Sequence, residues 1–564
     1  MVLNWQVRPA DPVRAHALAQ AAGVHPITAQ LLLHRGVGTA HEAARFLQPS
    51  LQTLSDPLAL PDMARAVARL REAIARREPI LLFTDSDTDG LTAGAILYDT
   101  LRRFGAVVRA QQSNRIADGY GLPDALVDTL CHSSLPGLVI LADCGTNQPE
   151  AIQRLQDFGL DTIVLDHHVP LDGWAHPLAL INPFRGDAPG RELCSAGLAF
   201  KLAQALWEDT AGSPLRRAWQ GPDPVTGCLD LAALGTLADC APLLGESRIL
   251  VAEGMSRLIN TSRPGLRWLC EATETREPEP GQIVRRLVPR INASGRLGEP
   301  EPIWELLIGE DESVLERWKT AAAKAHETTK RLHRQIIGEA QEQVNRLHFR
   351  DHFVMVVCRK GWHQGLMGPL ASQLTERYGR PTIAIALGEQ MGVGSGRSVP
   401  MFNLLEALKT CQDVLVRFGG HAQACGLTVD VRNLERFREL VNRQAHQALG
   451  RQGLVPGKPV DLELPFEALE PGWVEELVRL QPFGYGNPRP SFVFRRVEID
   501  VKSPRTAWLT NGSRRAAARG TFPAIVPGGR YDVVGSPAVE GEGTLTLSVS
   551  DVRVSTGLSA PARI

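Results

Sequence analysis

From about residue 60 the apolar positions of this chain alternate between a helical period and short unbroken runs. "PDMARAVARLREAIARRE" places Met63, Val67, Leu70 and Ile74 at helical spacing. The runs "ILLF" (80–83), "GLVILA" (137–142) and "DTIVLD" (161–166) follow, each ending at an acidic residue or at the start of a motif. Helix-like segments separate them, which predicts a parallel sheet in an α/β domain. Ligands of such sheets gather beyond the carboxyl ends of the strands, so all three runs deliver acidic residues to one edge.

Residues 1–50 read as helical and polar-faced, with "HPITAQLLLHRG" as the clearest segment. Residues 312–347 hold no Gly or Pro before Gly338 and are rich in helix formers, which predicts a long connecting helix. A second α/β pattern follows in "HFVMVVC" (352–358), the helix-like "LMGPLASQLTERYG" and "PTIAIAL" (381–387). After "GLVPGKPVDLEL" the chain turns β-rich, with many glycines and arginines and the turn-like "VPGGRYDVV", the pattern of a small barrel. The expected units are a helical segment (1–50), an α/β domain carrying the acidic motifs (51–311), the connecting helix (312–347), a second α/β domain (348–455) and a C-terminal β-barrel (456–564). There is no internal repeat, and only the tail "SAPARI" reads as disordered.

Composition bounds this picture more than it changes it. A chain of 564 residues should divide into several domains. Its 43% hydrophobic and 22% charged residues are the balance of a soluble globular protein. A net charge of −1 carries no footprint of a nucleic-acid partner, so any basic groove must be local. Nine scattered cysteines, never spaced CxxC, argue against a disulfide framework or zinc ribbon and fit a reducing compartment. The start "MVLNWQVRPADPVRAH" lacks the apolar core of a signal peptide, and no apolar run is long enough for a bilayer. A cytoplasmic protein with no membrane partner is expected.

The chemistry lies in the acidic positions. "DSDTDG" sets Asp85, Asp87 and Asp89 on alternate positions at a strand end, where like charges repel. Asp143 in "LADCGT", Asp166, His167 and His168 in "VLDHHVP", and Asp239 in "LGTLADCAPL" accompany them. Carboxylates and imidazoles without an obligatory thiolate suit Mg²⁺ or Mn²⁺ better than structural zinc. Carboxylates from separate strand ends can hold two cations about 3.5–4 Å apart, the arrangement for phosphoester hydrolysis by an activated water. A carboxylate bridging both ions would relieve the repulsion. Taken singly, DxDxDG is more often a turn or capped helix start, and an HH pair a packed histidine. Cys144 and Cys240 read as packing residues. The combination, in this order and at strand ends, carries the metal reading.

That combination resembles the DHH phosphoesterase superfamily and, within it, the RecJ single-strand-specific exonucleases, over nearly the whole chain. "DSDTDG", "ADCGT", "DHHVP" and "GTLADCAPL" resemble the four DHH motifs, and "FLQPSLQTLSDPLALPDMARAV" the lead-in to the catalytic core. "PRINASGRLG" (289–298), "WHQGLMG" (362–368), "GSGRSVP" (394–400) and "FGGHAQACG" (418–426) resemble later RecJ segments. The last is the GGH signature of the DHH-associated domain, and "QPFGYGNPRPSF" (481–492) looks like the entry to the RecJ OB-fold. The implied fold is a DHH domain with a parallel sheet, a long connecting helix, a DHH-associated α/β domain and a C-terminal OB-fold. Small DHH phosphoesterases carry HxxxDxD in the first motif; here Phe83 stands where that histidine would be, and DxDxDG is the RecJ-like arrangement.

The resemblance implies Asp87, Asp89, Asp143, His167 and Asp239 as ligands of two Mn²⁺ or Mg²⁺ ions, with Asp89 and Asp143 near the second ion or bridging. Asp85 would replace the absent histidine, directly or through a water. His168 would lie behind the ligands or against the scissile phosphate, and Asp166 would orient a histidine. "GVGSGRS" offers a glycine-rich loop with Ser395 and Arg397, a suitable phosphate cradle. In RecJ-like proteins this segment, with an arginine matching Arg115, binds the 5′-terminal phosphate. Arg290, Asn292 and Arg296 are expected on the strand backbone, a buried salt bridge being the other reading of Arg290. Gly420 and His421 should face the cleft. Aromatic residues are only 5% of the chain, leaving Trp362, Phe483 and Tyr485 as base-stacking candidates. Arg505, Arg514 and Arg515 are candidate phosphate contacts of the barrel.

The implied activity is 5′→3′ hydrolysis of single-stranded DNA to 5′-mononucleotides in recombination and repair, by a monomer working with a helicase and a single-strand-binding protein. Two rivals stand beside it. A DHH enzyme preferring RNA or short oligonucleotides is disfavoured by Phe83 and the OB-like region. An inactive single-strand-binding scaffold is disfavoured by the retention of every acidic motif.

Overall fold

The computed structural model describes residues 4–555 apart from 133–136, 172, 214–215, 218, 220–221, 348–351, 450–456, 527 and 542; the tail "SAPARI" lies outside the described residues. The chain starts on a strand, β1 (Asn4–Val7), before helices over Pro12–Ala22, Pro26–Leu33 and Ala40–Leu47. The all-helical expectation missed β1 because its parallel partner, Gly457–Val460, is most of the chain away.

The acidic motifs sit on a parallel sheet of β2 (Pro79–Thr84), β3 (Val107–Gln112), β4 (Leu138–Ala142), β5 (Asp161–Leu165) and β6 (Ala179–Ile181), ordered β3-β2-β4-β5-β6. The three runs read from the sequence are β2, β4 and β5. Edge strand β3 escaped notice because Arg109, Gln111 and Gln112 break its apolar pattern. On one face the helix Met63–Arg76 buries Met63, Val67, Leu70 and Ile74, each worth about 1.5–3 kcal/mol in water-to-core transfer. On the other, Phe83, Leu141 and Val164 pack under helices Asp124–Cys131 and Pro149–Asp157. With both faces covered, the acidic motifs are reached from the carboxyl edge.

The connecting helix runs Glu312–Val344, capped by the Asp311 carboxylate, which accepts from Ser313 N at 2.9 Å. Its first half lends Leu315 and Ala322 to the first core, its second half Ile336, Ala340 and Val344 to the next. That second sheet holds β7 (Met355–Lys360), β8 (Thr382–Leu387), β9 (Met391–Arg397), β10 (Leu415–His421) and β11 (Ala424–Asp430), ordered β10-β11-β9-β8-β7.

The C-terminal strands are β12 (Gly457–Val460), β13 (Leu462–Glu463), β14 (Phe492–Ser503), β15 (Thr506–Thr510), β16 (Arg515–Arg519), β17 (Arg530–Glu540) and β18 (Thr544–Val554). Five of them, β14-β15-β16-β18-β17, close into a barrel through a β14–β17 pairing. The N-terminal helices share its core: Leu31, Leu32 and Phe46 lie in one cluster with Leu480, Phe492 and Phe494. Arg248, buried on the helix Gly245–Ile259, ties that unit to the first domain. Its guanidinium stacks over Phe46 at 4.0 Å and donates to the carbonyls of Phe46 (2.9 Å) and Leu480 (3.0 Å).

Candidate active site

The carboxyl edge of the first sheet gathers the acidic motifs as expected. Asp85, Asp87 and Asp89 follow β2, Asp143 follows β4, and Asp166, His167 and His168 follow β5. Asp239 comes from the C-terminal end of the helix Leu229–Ala238. His167 stands at their centre, Nε2 lying 3.4 Å from Asp143 and 3.8 Å from Asp89, Nδ1 3.8 Å from Asp239. Three sets of ligand atoms fall within 4.8 Å of one another: Asp143, His167 and His168; Asp89, His167 and Asp239; Asp85, Asp87 and Asp143.

Local structure aims each carboxylate. Asp87 caps the helix Thr88–Arg103, accepting from Asp89 N (3.0 Å) and Gly90 N (3.1 Å). Asp143 takes a left-handed conformation, φ 64°, rare outside glycine. Asp89, though buried, accepts from Ser195 N (2.8 Å) and Ala196 N (2.9 Å) at the start of the helix Ser195–Asp209. Ser195 Oγ also donates to Asp143 (2.9 Å). Sequence reading missed this seat, whose one signal is the small-residue run "CSAG" before an apolar helix. It also missed Tyr120, whose hydroxyl donates to Asp143 O at 2.8 Å.

The electrostatics are those of a cation site. Burial, and then the charge of Asp143, raise Asp89 well above the carboxylate range and Asp87 to about 7; Asp239 is raised by burial too. Burial alone would lower His167, but the carboxylates of Asp239, Asp143 and Asp89 outweigh it and raise the imidazole well above its ordinary value. Burial would likewise raise Asp166, yet His168, with Nδ1 at 2.6 Å, holds it well below the carboxylate range. Hard oxygen and imidazole donors in a site that over-concentrates negative charge fit divalent cations such as Mn²⁺ or Mg²⁺.

Beside this centre lies a basic pocket. Arg115 donates to Asp85 and, at 2.9 Å, to Asp87; Ser113 Oγ donates to Asp85 at 2.6 Å. Ser395 and Arg397 sit on one face of β9, under the start of the helix Met367–Tyr378. A Cβ built on Gly368 there would lie 3.2 Å from Arg397 Nη2 and 3.9 Å from Ser395 Oγ. Arg296 is pushed down to about 10 by burial and then by Arg115, Asp87 pulling the other way and Arg397 adding to the fall. Three guanidiniums therefore crowd one end of the acidic cluster. From the second sheet, His421 reaches across to stack on His168, and Gly420 has φ 130°.

Several expectations need correction. "GVGSGR" is strand β9, not a loop, and pairs with β8 and β11, so its amides are committed to the ladder. Asn292 does not face the cleft freely: its Oδ1 accepts from Thr88 N (2.9 Å) and Thr88 Oγ1 (2.7 Å), fastening the helix that carries Asp89. Arg290, two residues and some 200° away on the same helix, stacks on Trp268 at 5.1 Å and forms no salt bridge among the described residues. Trp362 is core, its Nε1 donating to Glu339 at 2.7 Å. Phe483 is half-buried under Arg489, whereas Tyr485 remains exposed. Arg514 pairs with Glu470 at 3.0 Å and Arg515 stacks on Trp508 at 4.1 Å, while Arg505 is exposed. Cys144 is buried as expected, but Cys240 is exposed.

Comparison with known proteins gives these features a family. Residues 79–236 match the DHH family, N-terminal domain, residues 351–447 the DHHA1 domain and residues 460–507 the RecJ OB domain. The single-stranded-DNA-specific exonuclease RecJ of Bacillus subtilis is 30% identical over 555 residues, covering 95% of this chain and 69% of that protein. The chain belongs to the RecJ family. The RecJ of Dickeya dadantii is 33% identical over 488 residues, covering 82% of each protein. The crystal structure of RecJ in complex with Mn²⁺ from Thermus thermophilus matches with a TM-score of 0.81 at 28% identity, over 99% of this chain and 81% of that one. The match to the RecJ OB domain accounts for the C-terminal barrel. Among the described residues no helix is long and apolar enough to cross a membrane.

Proposed function

We propose that this chain is a metal-dependent exonuclease that hydrolyses single-stranded DNA from its 5′ end to 5′-mononucleotides. The observation that carries the reading is one cleft holding both the acidic centre and, beside it, the Arg115, Arg296 and Arg397 guanidiniums. Asp87, Asp89, Asp143, His167 and Asp239 would hold two divalent cations. Both oxygens of Asp85 are engaged by Arg115, one also by Ser113, which favours its acting through a water. Bound cations supply an activated water and charge neutralisation at the leaving oxygen. Ser395, Arg397 and Arg115 bind the terminal phosphate and fix the register of the strand. His168, oriented by Asp166, lies against the scissile phosphate, and the N-terminus of the helix Ser195–Asp209 keeps Asp89 aimed.

The barrel, with exposed Arg505 and Tyr485, would hold the outgoing strand. The division of the chain into a DHH domain, connecting helix, associated domain and OB-fold follows the same reading. So does its placement as a cytoplasmic monomer downstream of a helicase and beside a single-strand-binding protein in repair and recombination. Digestion of end-labelled single-stranded DNA, RNA and duplex DNA, with Mn²⁺ or with chelator, tests the reading. Mononucleotide release from single-stranded DNA alone, abolished by chelator, is expected; equal use of RNA or of duplex would contradict it.

A further inference from the structure

Glycine inside a strand costs stability unless another group must approach closely. On β9 the protein itself supplies that group: a Cβ on Gly392, Gly394 or Gly396 would lie 2.8, 2.9 or 2.5 Å from Ile385, Ala384 O or Leu404. Gly419 of β10 and Gly426 of β11 are different. They face each other in the ladder, neither has a positive φ, and no protein atom lies within 4 Å of a Cβ built on either. The fold gives no reason for these two residues to lack side chains.

Their surroundings supply one. Across β9, β11 and β10 the register sets Ser395, Gly426 and Gly419 in one row. Arg397, Ala424 and His421 form the row on one side, and Val393, Thr428 and Arg417 the row on the other. Successive rows stand about 6.8 Å apart. Over β8 the same face is covered, with Ala384 and Ala386 packed against Leu370 and Ala371. The helix Met367–Tyr378 also overhangs Ser395 and Arg397 on β9, but over β11 and β10 the face is open, with Gly426 exposed. Arg417 is exposed and pairs with no carboxylate among the described residues. Its Nη1 lies 4.0 Å from a Cβ built on Gly119 of the opposite lobe.

We infer that Gly419 and Gly426 form the floor of a subsite for the 5′-terminal nucleoside, with Arg417 as its outer wall. The inference rests on the single-strand reading above. Ser395 and Arg397 on one flank take the terminal phosphate, and His421 on the other meets the catalytic lobe. The nucleoside joining the terminal to the scissile phosphate must then cross the glycine pair. A floor of bare peptide contacts the sugar and the base face without reading base edges, so it accepts all four bases, and the Arg417 plane offers a stacking surface.

Gly426→Val tests this directly. Valine favours strands and the space is open, so the variant should melt at or above the wild-type temperature. Its side chain fills the floor, so the initial rate on a 5′-phosphorylated strand should fall about tenfold or more, the loss of one stacked base. On a strand whose 5′-terminal residue is abasic, the wild type should already be slow and Gly426→Val should change little. Arg417→Ala should show the same selectivity for the base-bearing end. Equal effects on both strands, no effect on either, or a fall in melting temperature in Gly426→Val would overturn the subsite. A wild type inert towards every single strand would overturn the single-strand reading instead.

Discussion

His421 lies parallel to His168 across the cleft, ring centroids 6.0 Å apart and planes 11° from parallel. Asp166 commits His168 Nδ1 at 2.6 Å, which leaves the Nε2 edge to the cleft. The stacked pair is therefore one place where the second lobe meets the acidic centre. His421→Ala should lower turnover on single strands by about tenfold or more, through lost positioning, while Mn²⁺ affinity measured by calorimetry stays within twofold or so. A large loss of Mn²⁺ affinity would place His421 among the metal ligands instead.

The acidic centre should fail when one donor is removed. Asp143→Ala or His167→Ala is expected to abolish hydrolysis and to leave single-strand binding largely intact, because Arg115 of the basic pocket bonds to Asp85 and Asp87 rather than to Asp143 or His167. Rates in saturating Mn²⁺ and binding by fluorescence anisotropy check this. Substantial residual cleavage would remove the residue from the ligand set.

The raised carboxylates carry a pH consequence. Asp89 and Asp239 bind protons more tightly folded than unfolded, so stability falls as pH rises from the unfolded carboxylate value near 4. Metal-free protein should therefore gain in melting temperature in mildly acidic buffer relative to pH 8, and Mn²⁺ at pH 8 should restore the loss. Asp89→Asn should flatten the metal-free profile. A metal-free protein as stable at pH 8 as at pH 5.5 would contradict the crowding of charge in this centre.

Much of this was legible in the sequence because the signals are local. β2, β4 and β5 are unbroken apolar runs, and each ends in its own acidic motif, so one sheet edge could be deduced. What escaped depends on distant partners. β1 pairs with residues far along the chain, and the N-terminal helices bury Leu31 and Phe46 in the barrel core. Asn292 looked like a substrate residue because nothing local shows that Thr88 needs its oxygen. "GVGSGR" looked like a loop because its glycines suggest turns; their cause is the close approach of Ile385 and Leu404. Trp362 was offered to a base, but a Glu339 carboxylate satisfies its one polar atom inside the core.

The shared core bears on how the barrel can be removed. Truncation near residue 460 would expose the apolar face of the N-terminal helices and should yield insoluble protein rather than a trimmed nuclease. Arg248→Ala, which orphans the carbonyls of Phe46 and Leu480, should destabilise the chain by about 3 kcal/mol in urea unfolding. The segment Arg248 grips also reaches the centre, since Leu243 N, four residues past Asp239, donates to Tyr485 O at 2.8 Å. Residual metal-dependent activity in Arg248→Ala should fall along with stability; full stability would contradict this role.

The central claim is that the strand enters 5′ end first, its terminal phosphate held by Ser395, Arg397 and Arg115 while the acidic centre cuts. The most direct measurement compares initial rates on 3′-labelled strands bearing a 5′ phosphate or a 5′ hydroxyl, for the wild type and for Arg397→Ala. A guanidinium adds charge-assisted hydrogen bonds of about 1.5–3 kcal/mol to a terminal phosphate, so the wild type should prefer the phosphorylated strand about tenfold or more. Arg397→Ala should erase most of that preference while still cleaving. A wild type indifferent to the 5′ phosphate, or degradation that begins at the labelled 3′ end, would contradict the account.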